Sequence, residues 1–246
     1  MNSEILLPLR KVHGRIHETV THIEKSIAVA ARQKRNVLEK QKLHKENFTI
    51  ISNTCIGGVI CHDLGLQFRS PTINIYIRPT DFVKFCENLH EYLDMPLREL
   101  PYDARIGYPV AALGDILLYC KHYHSFEETS AAWEKRKKRI QWEQMYFIMT
   151  DRDFVPPVSV NPVIKACDEE TIRRFDALPF TNKVCMVQSP ELVRKYSSCR
   201  QVTKGCQGTC VGIITDIIGI TGKRMYQYVR DFDYIDFLNE GKDGTG

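Results

Sequence analysis

From residue 48 onward the chain alternates between two periods. FTIIS at 48–52, ILLYC at 116–120, MYFIMT at 145–150 and NKVCMVQ at 182–188 are short apolar runs of strand length. The stretches between most of them carry helical spacing instead. A strand that is apolar on both faces must be covered on both faces, and connections long enough for a helix allow neighbouring strands to pair in parallel. The expectation is an α/β domain over about 47–190. It would hold a three-layer, mostly parallel Rossmann-like sheet, with an N-terminal amphipathic helix and an irregular C-terminal extension.

Local signals sharpen this reading. GGVICHDLG reads as a short helix closed by Gly65, and Ile73, Ile75 and Ile77 alternate as in a strand. Pro79 and Thr80 introduce a helix in which Phe82, Phe85, Leu89 and Leu93 share a face. Ser125 and Glu128 have capping-box spacing ahead of a helix with Phe126, Trp133 and Ile140 as its apolar seam. DEETIRRFDAL reads as a further helix.

Charge separates the first 46 residues from the rest. They hold ten Lys or Arg against five acids, whereas the remainder holds 24 against 25. The near-neutral body argues against a nucleic-acid-binding core, which needs a basic face. Leu9, Val12, Ile16, Val20, Ile23, Ile27 and Ala30 recur at three- and four-residue steps, so they form one stripe on a basic amphipathic helix. That stripe needs a cover: the parent domain, a second copy, or an anionic membrane. The expected division is a basic helix at 1–46, an α/β domain at 47–239 and a flexible tail at 240–246. No apolar run is long enough to span a membrane. The nine cysteines are odd in number, and MNSEILLPLRKV lacks the apolar stretch of a secretory signal, which points to a reducing, cytoplasmic setting. Cys199, Cys206 and Cys210 fit no common zinc spacing.

Ligands in open α/β sheets sit beyond the carboxyl ends of the strands, and that rule selects three loops. The first is Ser52 to Gly58. There Asn53 and the glycines Gly57 and Gly58 run into a helix whose free N–H groups suit a phosphate or oxyanion, and the same helix end would raise the thiolate fraction of Cys55. The second contains His122 and His124, of which alternation lets only one enter the site as a general base. On the following helix, Arg136 lies near the inward seam and needs either a phosphate or a protein carboxylate. The third is Asp151, Arg152 and Asp153, where two carboxylates at i and i+2 could share Mg²⁺ or Mn²⁺ or hold a sugar nucleotide. The alternative there is a turn with a capping aspartate.

FTIISNTCIGGVICHDLGLQFRSPTINIYIRPTDFVKFCENL, YPVAALGDILLYCKHYHSFEETSAAWEKRKKRIQW, FIMTDRD, RFDALPFTNKVCMV and GKRMYQYVRDFDYIDFLN, taken in order, resemble the bacterial domain-of-unknown-function family 1919 over about 47–239. The resemblance implies surface-polysaccharide assembly (exopolysaccharide, capsule or O-antigen) at the cytoplasmic face of the membrane. It draws attention to Asn53, Cys55, Gly57, Gly58, Thr72, His122, Arg136, Asp151, Arg152 and Asp153. There is also a similarity, in order only, to papain-like cysteine peptidases. It makes Cys55 the nucleophile, His122 its base and Asp151 or Asp153 the orienting group, but the papain-type cysteine context and an oxyanion-hole glutamine are missing.

Three readings follow. The first is a glycosyltransferase-like enzyme using a nucleotide-activated sugar and a glycan or lipid-linked acceptor. In it Asn53, Gly57, Gly58, Thr72, Arg136 and Arg152 bind substrate, Asp151 and Asp153 hold a metal, and His122 is the base. The second is a cysteine-dependent hydrolase or acyltransferase with a Cys55/His122 dyad. The third is a non-catalytic assembly factor recruited through residues 9–42, by peripheral membrane contact or self-association.

Overall fold

The computed structural model describes residues 6–153, 165–202, 221–222 and 232–240, with the backbone alone for 6–21. Cys206, Cys210 and the tail from 241 lie outside the described residues. The elements in order are α1 (Leu6–Lys40), β1 (Thr49–Ser52), α2 (Ile56–Asp63), α3 (Pro79–Glu87), α4 (Leu89–Asp94), β2 (Leu97–Glu99), β3 (Val110–Leu113), β4 (Ile116–Tyr119) and α5 (Phe126–Lys137). They continue with β5 (Met145–Thr150), β6 (Arg152–Asp153), β7 (Lys165–Ala166), α6 (Glu169–Asp176), β8 (Lys183–Val187), α7 (Pro190–Lys195), β9 (Cys199–Gln201) and α8 (Tyr234–Glu240).

Strands β1, β5, β8 and β9 form a parallel sheet in that order. Side chains alternate across it, as the period of two requires. Ile50, Tyr146, Ile148, Val184 and Met186 enter one apolar cluster with α2 and α8. Ile51, Phe147, Met149, Cys185 and Val187 enter the other, with α3, α4, α5 and α6. The fold is therefore a mixed α/β arrangement whose parallel sheet is buried on both faces. Its largest fully buried side chain, Trp133, lies on the seam expected of α5.

Two of the apolar runs play a different part from the one expected. ILLYC is a strand, but β4 belongs to a separate antiparallel sheet, β2-β3-β4, joined to β3 by a hairpin at Gly114 and Asp115. An apolar run of four or five residues does not specify the direction of its partner. Ile73, Ile75 and Ile77 are buried, yet the segment is a series of turns with one isolated bridge, Tyr76 to Tyr119. The Ser70 hydroxyl accepts from Thr72 N–H and meets Thr72 Oγ1, and Asn74 stands at φ 65°, which breaks an extended path. The expected helix after Pro79 divides at Asn88, while Phe82, Phe85, Leu89 and Leu93 remain buried together.

Of the stripe on α1, the described side chains of Ile23 and Ile27 are 52% and 49% exposed, while Ala28 and Arg32 are buried. Arg32 Nη2 donates to buried Asp63 at 2.6 Å, and Glu39 and Tyr234 join the same network. No described helix is long and apolar enough to cross a membrane.

Candidate functional site

The site forms where β1 ends. The ladder between β1 and β5 stops at Ser52 and Ile148, and Asn53 extends it with its side chain. Its Oδ1 accepts from Thr150 N–H at 2.9 Å and its Nδ2 donates to the Thr150 carbonyl at 3.1 Å. Ser52 Oγ donates to the Thr54 carbonyl and accepts from Gly57 N–H, which folds the chain sharply into α2. A Cβ on Gly57 would lie 2.8 Å from that Oγ, and one on Gly58 would lie 3.2 Å from Asn74 Oδ1, so both positions need the smallest residue. Thr72 Oγ1 accepts from Ser52 N–H. Asn53, Gly57, Gly58 and Thr72 thus build the turn that sets Cys55 at the N-cap of α2, partly exposed.

The far end of α2 is equally well defined. Gly65 N–H donates to the His62 carbonyl and Leu66 N–H to the Cys61 carbonyl, with Gly65 at φ 61°. This is the double hydrogen bond of a Schellman cap, and it fixes the length and direction of the helix behind Cys55.

His122 arrives from the other sheet. Cys120 is buried at the end of β4, and Tyr123 is buried with its hydroxyl donating to the Ile73 carbonyl at 3.0 Å. Between these two anchors the exposed His122 places Nε2 3.2 Å from Cys55 Sγ. His124 is exposed, and its backbone N–H donates to Glu128 Oε2 ahead of the Ser125 cap of α5. Of the two histidines, His122 is the one that meets Cys55.

Among the seven described thiols, burial separates Cys55 from most of the others. Burial pushes Cys61 and Cys120 up to about 12 and raises Cys86 and Cys185 as well. Cys167 is also partly exposed, but burial and then the Asp151 and Asp168 carboxylates push its thiol up. Cys55 is the described thiol that faces an imidazole.

The third loop has a different character. Arg78 Nε and Nη2 donate to the two oxygens of Asp153, each at 2.9 Å. Hydrogen bonding to Asp153 holds the Arg78 guanidinium still more firmly protonated. Asp151 is 1% exposed, with its backbone bonded to Met186 and Cys167. Arg152 offers its carbonyl to Tyr76 and pairs with Ala166 in the β6-β7 ribbon. A cation on Asp153 would have to compete with Arg78. No cluster of three or more His, Cys, Asp or Glu suited to a metal occurs among the described residues. Arg78 was not singled out by the sequence; the signal was its place before Pro79, which forces an extended backbone and turns its side chain off the helix.

Arg136 meets no carboxylate among the described residues; its Nη1 donates to the Ile73 carbonyl at 3.2 Å and to the Tyr123 hydroxyl.

The geometry defines an α/β protein that brings a thiol and an imidazole together beyond the carboxyl end of a parallel strand. The chain belongs to the family described as Domain of unknown function (DUF1919), which matches residues 26–239. It is similar to an uncharacterized protein of Haemophilus influenzae, 33% identical over 200 residues that make up 81% of this chain and 88% of that one. The family match begins inside α1 and so takes in Arg32.

Proposed function

We propose that this chain is a cysteine-dependent acyl-transfer enzyme, a hydrolase or acyltransferase, with Cys55 as nucleophile and His122 as its base. The observation that carries the proposal is the 3.2 Å separation of Cys55 Sγ and His122 Nε2, two residues 67 positions apart. A thiol in hydrogen-bond contact with an imidazole and at a helix N-terminus has the two features that favour thiolate. In the forward half-reaction His122 takes the Sγ proton as sulfur attacks the acyl carbonyl. The carbon–oxygen or carbon–nitrogen bond to the leaving group then breaks, and His122 returns the proton to that group. Water, or an acceptor hydroxyl, releases the acyl group in the second half-reaction, and the thiol is restored.

Of the first-turn amides of α2, Gly57 N–H is taken by Ser52 Oγ, and those of Ile56 and Gly58 would face the developing oxyanion. The hydroxyls of Thr54 and Thr150 are buried without a hydrogen-bond partner among the described residues, which adds polar groups near the ends of β1 and β5. Asp153, held by Arg78, is read here as support for the floor of the site. The four-stranded parallel sheet is read as the core of a Rossmann-like three-layer fold, in which a site beyond the strand ends is the expected place.

Surface-polysaccharide assembly is carried forward as the proposed setting, with acyl groups on glycan hydroxyls as the substrate class. The basic helix α1, with Ile23 and Ile27 exposed, would hold the enzyme at the inner, anionic face of the membrane. Substituting Ile23→Glu together with Ile27→Glu is expected to abolish sedimentation with phosphatidylglycerol vesicles; unchanged sedimentation would remove this part. For the chemistry, a panel of activated esters and thioesters is the direct assay. Cys55→Ser should abolish turnover and His122→Ala should lower it about 100-fold or more, a typical range for losing a general base. Turnover that survives Cys55→Ser would overturn the assignment.

A further inference from the structure

A second cavity lies along α2, at the end opposite Cys55. From Cys55 to Cys61 the helix rises about 9 Å. There, between the C-terminal turn of α2, the 65–68 loop and α5, a cleft of about 590 Å³ opens to solvent. Its lining includes His62, Phe68, Lys135, Arg136 and Arg139, and no Asp or Glu. Cys61 on its wall stays a neutral thiol at ordinary pH, since burial raises it to about 12.

The arginines are positioned by neutral groups. Arg136 Nη1 is taken by the Ile73 carbonyl and the Tyr123 hydroxyl, and its guanidinium lies over the Phe68 ring at 5.4 Å and the Tyr123 ring at 5.9 Å. Its Nε and Nη2 donate to nothing among the described residues. Arg139 Nη1 donates to the Phe68 carbonyl at 3.3 Å, and it too meets no carboxylate among the described residues. Three cations gathered on one wall repel one another, and the two half-buried guanidiniums are partly desolvated with no counter-charge to offset either cost. A planar guanidinium beside two aromatic rings, with Nε and Nη2 unused, is suited to two parallel hydrogen bonds to a phosphate.

We propose that the cleft between α2 and α5 is a binding site for a phosphate-bearing ligand, with Lys135, Arg136 and Arg139 as its recognition groups. The volume admits more than a bare phosphate, so a diphosphate or the phosphorylated portion of a larger molecule fits the space. This inference does not depend on Cys55 chemistry.

The test measures binding, not turnover. The full chain is titrated calorimetrically with inorganic phosphate and with pyrophosphate, and separately mixed with vesicles of phosphatidylglycerol in phosphatidylcholine. Lys135→Glu, on an exposed side chain that bears no packing, and Arg139→Gln should each weaken binding at least tenfold. Lys138→Glu, one turn away and outside the cleft, should leave it within about twofold. Cys55→Ser should bind as the parent does, whatever becomes of its activity. Loss confined to pyrophosphate assigns the site to a soluble ligand, and loss confined to vesicles assigns it to a lipid headgroup; either supports the site. If the parent binds neither, or if Lys138→Glu weakens binding as much as Lys135→Glu, the proposal is overturned.

Discussion

Asn53 continues a ladder that its own strand has already ended. Its amide satisfies both the N–H and the carbonyl of Thr150, and both residues are fully buried. Truncation to alanine would leave those two backbone groups unpaired inside the protein, each at about 1–3 kcal/mol. Asn53→Ala is therefore expected to lower stability by about 2–4 kcal/mol in urea unfolding, and to loosen the turn before Cys55. A loss below 0.5 kcal/mol would show that water or another group replaces the amide. At this scale the sequence was partly legible. It singled out Asn53, Cys55, Gly57 and Gly58 because they lie where a strand gives way to a helix. It could not show that Asn53 serves the backbone and not a ligand, since the partner lies 97 residues away. His122 was legible as a candidate beside His124, and the choice between them rests on Tyr123, whose burial fixes the loop.

Two helix ends, Gly65 closing α2 and Ser125 capping α5, were readable in the sequence; a third cap was not singled out there. Asp168 caps α6 by accepting from Thr171 N–H at 2.8 Å, and that hydrogen bond holds its carboxyl below the ordinary aspartate range. Asp168→Ala should cost about 1 kcal/mol at neutral pH, as lost caps do. The depressed folded value sets the sign of the pH dependence. The contribution is complete above the unfolded aspartate value near 3.9 and disappears as pH falls through the lower folded value. Parent and variant should accordingly converge in stability as pH falls through the lowered folded value, and a difference that stayed constant across the acid range would contradict the charged-cap account. Strand partners were less readable. Nothing in ILLYC distinguishes a central parallel strand from one arm of a hairpin, because both bury most of their side chains. The turn at Ser70–Asn74 escaped for a related reason: Ile73, Ile75 and Ile77 are buried on alternate positions, as in a strand, while hydroxyl-to-backbone bonds hold the path between them.

At the scale of the whole molecule, two apolar clusters, one on each face of a single parallel sheet, leave the thiols of Cys61, Cys86, Cys120 and Cys185 in surroundings that disfavour charge. Burial raises all four, so above the unfolded thiol value near 8.5 the unfolded chain ionises first. Stability is complete below that pH and falls by about 1.4 kcal/mol per thiol for each pH unit above it, up to the folded values. Thermal midpoints should decline steeply between pH 9 and 11, and a flat profile would mean that these cysteines are not buried in solution. The basic N-terminal segment was legible from charge alone. Its attachment was not, because buried Arg32 on Asp63, with Glu39 and Tyr234, ties the helix to the domain while Ile23 and Ile27 stay exposed. The same contrast between buried and accessible thiols gives the most direct test of the central claim. The rate of iodoacetamide modification at each cysteine, followed by peptide mass spectrometry from pH 5 to 9, reads thiolate formation site by site. Cys55 is expected to be modified first, already at pH 6 to 7, and His122→Ala should remove this advantage. Modification of Cys55 that rises only near pH 8.5, like a free thiol, and is indifferent to His122→Ala would contradict the central claim.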